Sequence, residues 1–162
     1  MTKAHEEKLT LAVEVNIPSH EDRKATPLFE RTRKQLLKRE GAVCWICGCT
    51  AEEAGPLEAH HHPVERSLAE MVDWHLFRNL AERGLFGEAV KGFDWSAFDP
   101  KNPYTFVDDM TVNGVLLCKA HHTGKDEGIH DMPYPLWVVQ KFGREGYKFS
   151  DVEIIHHEQE SR

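Results

Sequence analysis

The chain has no run of about 18 apolar residues, the length a membrane-spanning helix requires, and this excludes a helical span. Its start, Met1-Thr2-Lys3-Ala4-His5-Glu6-Glu7-Lys8, is polar throughout and carries no apolar core of a secretory signal. Only four cysteines occur among 162 residues. With no secretory leader in view, they are expected as reduced thiols in a cytoplasmic compartment, not as a disulfide framework. Internal repeats and low-complexity tracts are absent. Positive charge is outnumbered, with 20 Lys and Arg against 27 Asp and Glu. A formal charge of −7 argues against a non-specific nucleic-acid coat, whose affinity comes from Lys and Arg neutralising phosphates.

What charge there is segregates. Arg23, Lys24, Arg31, Arg33, Lys34, Lys38 and Arg39 fall just before the first cysteines, whereas Asp151, Glu153, Glu158 and Glu160 crowd the C-terminus. Period-two alternation in residues 9 to 17 suggests a short strand. Thr26-Pro27 reads as an N-cap followed by proline at the first helical position, giving a helix to about Glu40 that Gly41 stops. Short strands are expected over Leu57 to His62 and Val115 to Cys118, the latter leading into a helix from about Ala120. The connection from 64 to 111 is too long to be bare loop. Within it Leu68, Met71, Val72, Leu76, Phe77 and Leu80 fall at helical spacing and predict a helix ending near Gly84. Phe93, Trp95, Phe98, Tyr104 and Phe106 then read as core anchors of an irregular loop, and Tyr134 to Phe142 as a last helix.

The chemistry is concentrated in three segments. Cys44-Trp45-Ile46-Cys47 and Cys118-Lys119-Ala120-His121 are two knuckles whose ligand types, brought together, make the closed tetrahedral set that structural Zn2+ prefers. Cys49 competes for a place, but its spacing from Cys47 chelates less well, and it is expected as a free buried thiol. Between the knuckles lies Leu57-Glu58-Ala59-His60-His61-His62, and His122 follows the second. A zinc finger fails because no second histidine follows His60 at the needed gap. A nucleobase deaminase is not favoured: of the two His-x-Glu triplets, His156-His157-Glu158 follows both knuckles, and His5-Glu6-Glu7 lies in the extension before residue 26. No His-Glu-x-x-His exists for a metalloprotease.

Cys44-x-x-Cys47, Leu57-Glu58-Ala59-His60-His61, Asn113 and Leu117-Cys118-x-x-His121-His122 together resemble the HNH, or ββα-metal, nucleases in their two-knuckle zinc form. Gly128-Ile129-His130-Asp131-Met132-Pro133 also resembles segments of phage-encoded members. The likeness spans residues 26 to 142, with 1 to 25 an extension and 143 to 162 an acidic tail. It departs in ending the second knuckle on His121 and in the length of the 64–111 insert.

The resemblance implies an α+β fold with a ββα-metal (His-Me finger) core stapled by zinc, with added helices and the long insert. It implies a DNA endonuclease, encoded by a phage or mobile element, that leaves 5′-phosphate and 3′-hydroxyl ends. His60 and His122 would hold a catalytic divalent metal (Mg2+, Mn2+, Ni2+ or Zn2+), His61 would be the general base, and Asn113 would fix the histidine loop. Since neighbouring strand residues face opposite ways, a distorted strand end or loop is expected to re-aim one of the pair. The triplet leaves a second register open, with His61 as ligand and His62 as base. His130 and Asp126 are candidates for a third ligand, and Glu58 and Glu65 for carboxylates supporting the histidines. Lys125 and the basic helix, through Arg31, Lys34 and Lys38, would touch DNA. From a different class, the chain could be a zinc-stabilised module that does not cut and docks on nucleic acid or on a protein partner through the insert or acidic tail.

Overall fold

Helix α1, Pro27–Arg39, starts where Thr26 accepts a hydrogen bond from the Phe29 N–H at 3.1 Å, with proline at the first helical position. Lys38 and Arg39 in its last turn suit the negative end of the helix dipole. Its inward face buries Thr32 and Leu36. The computed structural model describes residues 25–125 and 127–142. The expected strand at 9 to 17, Arg23, Lys24, Asp126 and the acidic tail lie outside the described residues.

The described chain is a mixed α and β fold around a small antiparallel sheet of two strands, β1 Glu58–His61 and β2 Gly114–Leu117. Glu58 pairs with Leu117, Ala59 with Leu116, His60 with Val115 and His61 with Gly114. A side chain at Gly114 would put its Cβ 2.7 Å from the Met110 carbonyl oxygen and 3.1 Å from Leu36, so only glycine lets α1 close over the strand here. Gly114 therefore belongs to β2 itself as well as following the Asn113 turn. After β2 comes α6, Lys119–Thr123, which packs on both strands.

One core joins the sheet to its zinc-type knuckle: Leu36, Cys44, Ile46, Leu57, Met110, Val115, Leu116, Leu117, Cys118 and Trp137 are all buried together. Trp137 lies in the last described helix, α7 Tyr134–Val139, and its Nε1 donates to the His121 carbonyl at 2.9 Å, tying that helix to α6. The first knuckle closes as a tight loop, with Cys44 N–H donating to Cys49 O and Gly48 N–H to Cys44 O, each at 2.8 Å. The short α2, Ala51–Ala54, follows it and was not foreseen, although the Glu53 carboxylate caps it by accepting from Thr50 N at 2.8 Å.

The insert builds a second core of its own from Val64, Ala69, Trp74, Phe77, Ala81, Val90, Trp95, Phe98, Phe106 and Val107. The single helix expected to end near Gly84 is divided into a 3-10 turn, Arg66–Met71, and helix α3, Trp74–Glu82. Asp73 makes the break: its side chain accepts from His75 N and Leu76 N, so it caps a new helix. The buried stripe is Ala69, Trp74, Phe77 and Ala81, while Leu68, Met71 and Leu76 face solvent. The aromatic stretch beyond is anchored as expected, with Trp95, Phe98 and Phe106 buried, and it also forms the short helices α4, Glu88–Lys91, and α5, Tyr104–Val107. Among the described residues no helix is long and apolar enough to cross a membrane.

Candidate metal centres and cleft

Two groups of side chains that could hold a metal each draw a ligand from α6, one through His121 and the other through the adjacent His122. The first contains Cys44, Cys47, Cys118 and His121, whose ligand atoms all lie within 4.8 Å of one another. His121 Nδ1 is 3.2 Å from Cys118 Sγ and 3.8 Å from Cys44 Sγ. Burial alone would raise the Cys44 thiol, but the His121 imidazole and the backbone N–H groups of Cys118, Cys47 and Ile46 outweigh it and bring it down to about 5. Cys47 is pushed up to about 11, by desolvation first and then by the neighbouring Cys49 and Cys44 thiols. Desolvation and the same crowding raise Cys118. A thiolate among thiols that resist ionising is a donor set that a divalent cation would complete, so these residues can hold a metal such as zinc. Cys49 is not the buried thiol expected. It is half-buried, and its Sγ sits 3.1 Å from Cys47 Sγ, because the knuckle loop turns back on itself at Gly48.

The second group is His60, His122 and His130, again with ligand atoms within 4.8 Å of one another. His60 is 5% exposed and comes from β1. His122 comes from α6, and His130 from the turn after it, where Ile129 N–H and His130 N–H reach back to the carbonyls of His121 and His122. His122 Nδ1 is paired with the Glu58 carboxylate, which leaves its Nε2 facing His130 Nε2 at 3.3 Å. Glu65 Oε1 lies 2.9 Å from His60 Nε2. Burial opposes ionisation of Glu65, yet its bond to His60 and the surrounding imidazoles hold its carboxyl below the ordinary range. Three imidazoles in one site beside a cleft, two of them oriented by carboxylates, fit a divalent cation with open positions.

His61 points elsewhere. It stays in regular register opposite Gly114, so β1 keeps its alternation: Glu58 and His60 face His122, while His61 stacks on Phe29 at 5.6 Å. The expected distortion of the strand end is therefore not found. Instead, a cleft of about 1040 Å3 wraps the end of β1, so that His60, His61, His62, His122 and His130 all line it. His61 Nε2 is enclosed 3.7 Å from Asp108 Oδ1, without a hydrogen-bond partner among the described residues. Asp108, 1% exposed, accepts from Thr26 Oγ1 and Arg66 Nε at 3.0 Å each. Burial opposes its ionisation, but His61, Arg66 and Thr26 hold it below the usual carboxylate range. Burial, and then the neighbouring His60, lower the pKa of His62, whose ring lies beside those of Trp45 and Tyr134.

Asn113 is fully buried and does not line the cleft. Its Oδ1 accepts from Val64 N at 2.9 Å, and its Nδ2 donates to Val64 O at 2.8 Å and Val107 O at 2.9 Å. His62 N–H adds a bond to the Asn113 carbonyl at 3.2 Å. These bonds clamp both ends of the insert to the strand that carries the histidines. Around the cis His62–Pro63 bond, they fix where the triplet leaves the sheet.

Arg31, Lys34, Lys38 and Lys125 are exposed, and none of them lines the cleft. Asp108, Phe29 and Tyr134 line it without having been singled out as site residues. Nothing local distinguishes Asp108 from Asp109 in the sequence; only the fold brings it behind His61. No family model, curated protein or solved structure matches the chain.

Proposed function

We propose that the chain is a metal-dependent DNA endonuclease of the HNH type, its ββα-metal core formed by β1, β2 and α6 and stapled by zinc at Cys44, Cys47, Cys118 and His121. The observation that carries this reading is the convergence of His60, His122 and His130 on one cleft, apart from the cysteine cluster. A divalent cation held by those three imidazoles would supply Lewis-acid stabilisation of the charge that develops on a phosphate. Glu58 orients His122, and Glu65 orients His60. Asn113 acts as a positioning residue through Val64.

His61 takes the proton. Water entering the cleft gives it up to the imidazole as the water oxygen bonds to phosphorus. The bond from phosphorus to the 3′ oxygen breaks, and that oxygen takes a proton from solvent. The products are a 5′-phosphate and a 3′-hydroxyl. The grouping of His60 with His122 favours His60 as ligand and His61 as base over the register shifted by one residue. Three imidazoles suit Zn2+, Ni2+, Co2+ or Mn2+ better than Mg2+. A phage or mobile-element source and a cytoplasmic site of action remain part of this reading through the resemblance.

The rival reading is a zinc-stapled module that binds nucleic acid or a protein partner without cutting, and the enclosure of His61 Nε2 against Asp108 favours it. Supercoiled-plasmid cleavage separates the two. Metal-stripped protein resupplied in turn with Mg2+, Mn2+, Ni2+ and Zn2+ is expected to cut, and His61→Ala to lose cutting while keeping its cysteine-bound zinc. A folded, zinc-loaded protein that cuts neither supercoiled plasmid nor single-stranded DNA with any of these metals would sink the nuclease reading.

A further inference from the structure

The cleft's charge and its walls bear on what kind of nucleic acid would fit there. Among its described lining residues Arg66 is the one Lys or Arg, and it is committed: its Nε bonds Asp108, and its guanidinium lies 4.8 Å over the Tyr104 ring. Glu65 and Asp108 add two carboxyl groups to the same lining. The exposed cations of α1 stand outside the lining. Duplex DNA carries a charge about every 1.7 Å and is held mainly by Lys and Arg on its phosphates, which the described lining of this cleft does not offer. A cation at the histidines could meet one phosphate. It could not meet a rail of them.

The walls are apolar and aromatic. Tyr134 is 50% exposed, yet its ring is set: it lies 6.1 Å from that of His62 at an interplanar angle of 17°, and 5.9 Å from that of Trp137. His62 in turn lies 5.9 Å from Trp45, and Trp45 stacks on Trp137 at 5.8 Å and 21°. On the insert side Leu85 is 56% exposed, and Phe86 is stacked on Phe77 at 4.6 Å. A half-exposed aromatic ring already fixed by its neighbours binds a flat partner with little further loss of side-chain freedom. Purine and pyrimidine faces are such partners once they are out of a duplex, and their stacking tolerates any sequence.

We infer that the substrate of this cleft is a single-stranded or locally unpaired nucleic acid, with one phosphate at the histidine cluster and an adjacent base stacked on Tyr134. The inference rests on the nuclease reading above and narrows it. The unpaired base supplies the contact that Lys and Arg would supply to a duplex. The insert closes the other wall with Leu85 and Phe86, and this gives that long segment a part in selecting the substrate.

Fluorescence anisotropy on the full-length, zinc-loaded His61→Ala protein tests this without cutting. The probes are one labelled oligonucleotide as single-stranded DNA, the same sequence as single-stranded RNA, and the DNA duplex. Both single strands, or either one, should bind more tightly than the duplex. Adding Tyr134→Ala should weaken single-strand binding about 5- to 150-fold, and Tyr134→Phe should restore most of it. Duplex binding equal to or tighter than that of both single strands overturns the inference and leaves the nuclease reading standing, as does a Tyr134→Phe loss as large as that of Tyr134→Ala. No binding of any probe, together with no cleavage of plasmid or single-stranded DNA, overturns the nuclease reading itself.

Discussion

Replacing Asn113 by alanine tests whether this residue clamps the histidine segment or merely makes a turn. The side chain is fully buried and engages Val64 N, Val64 O and Val107 O. Truncation leaves one amide and two carbonyls without a partner, in a space too enclosed for each to find water. A buried group left unpaired costs about 1–3 kcal/mol, so three partly relaxing together should cost roughly 3–5 kcal/mol. With a urea slope of about 2 kcal/mol/M, the unfolding midpoint would fall by about 1.5–2.5 M. Asn113→Asp should be no better at neutral pH, because it keeps the acceptor for Val64 N but turns a carboxylate oxygen toward two carbonyls. The assay is urea unfolding of zinc-loaded protein followed by circular dichroism. A loss below about 1 kcal/mol for Asn113→Ala would refute the clamp and return Asn113-Gly114 to a plain turn.

Other residues give sharper contrasts. Cys44→Ser should lose the cysteine-bound metal and much of the protein's stability, whereas Cys49→Ser should keep both. Metal analysis of the two variants decides this, and loss of metal from Cys49→Ser would make Cys49 a ligand. Glu58→Gln should weaken divalent-metal binding at the histidine cluster about 10- to 100-fold with the cysteine-bound zinc unchanged, and unaltered affinity in a calorimetric titration would remove Glu58 from that role. Asp108 has a folded-state pKa held below its unfolded value, so it contributes stability above about pH 4 that is lost as pH falls through the folded value. Asp108→Asn should therefore be destabilised at neutral pH and approach the parent protein in acid, and a deficit that persists unchanged in acid would contradict this.

The parts of the fold that were legible in the sequence are those whose signals are local. Thr26-Pro27 and Gly41 bracketed α1, and local spacing marked Cys44 with Cys47 and Cys118 with His121 as two ligand pairs, which the fold then brings together. The insert helix was misread because Leu68, Met71 and Leu76 have the right period, yet Asp73 restarts the helix and turns a different stripe inward. Capping outweighed periodicity there. The site divides in the same way. Adjacent histidines and a following knuckle announce themselves in sequence, but the meeting of His130 with His60, and of Asp108 with His61, depends on long-range packing. So does the ring wall of Trp45, His62 and Tyr134, whose members come from the knuckle, the strand end and the last described helix.

The central claim is that one small fold holds two chemically distinct metal centres, one closed by cysteines and one open at the histidines. Native mass spectrometry of protein equilibrated with zinc counts them directly. Two equivalents are expected for the parent chain and for Asn113→Asp where it folds. One is expected for His122→Ala and for His130→Ala. A single equivalent in the parent, unchanged in both histidine variants, would contradict the second centre and with it the nuclease reading.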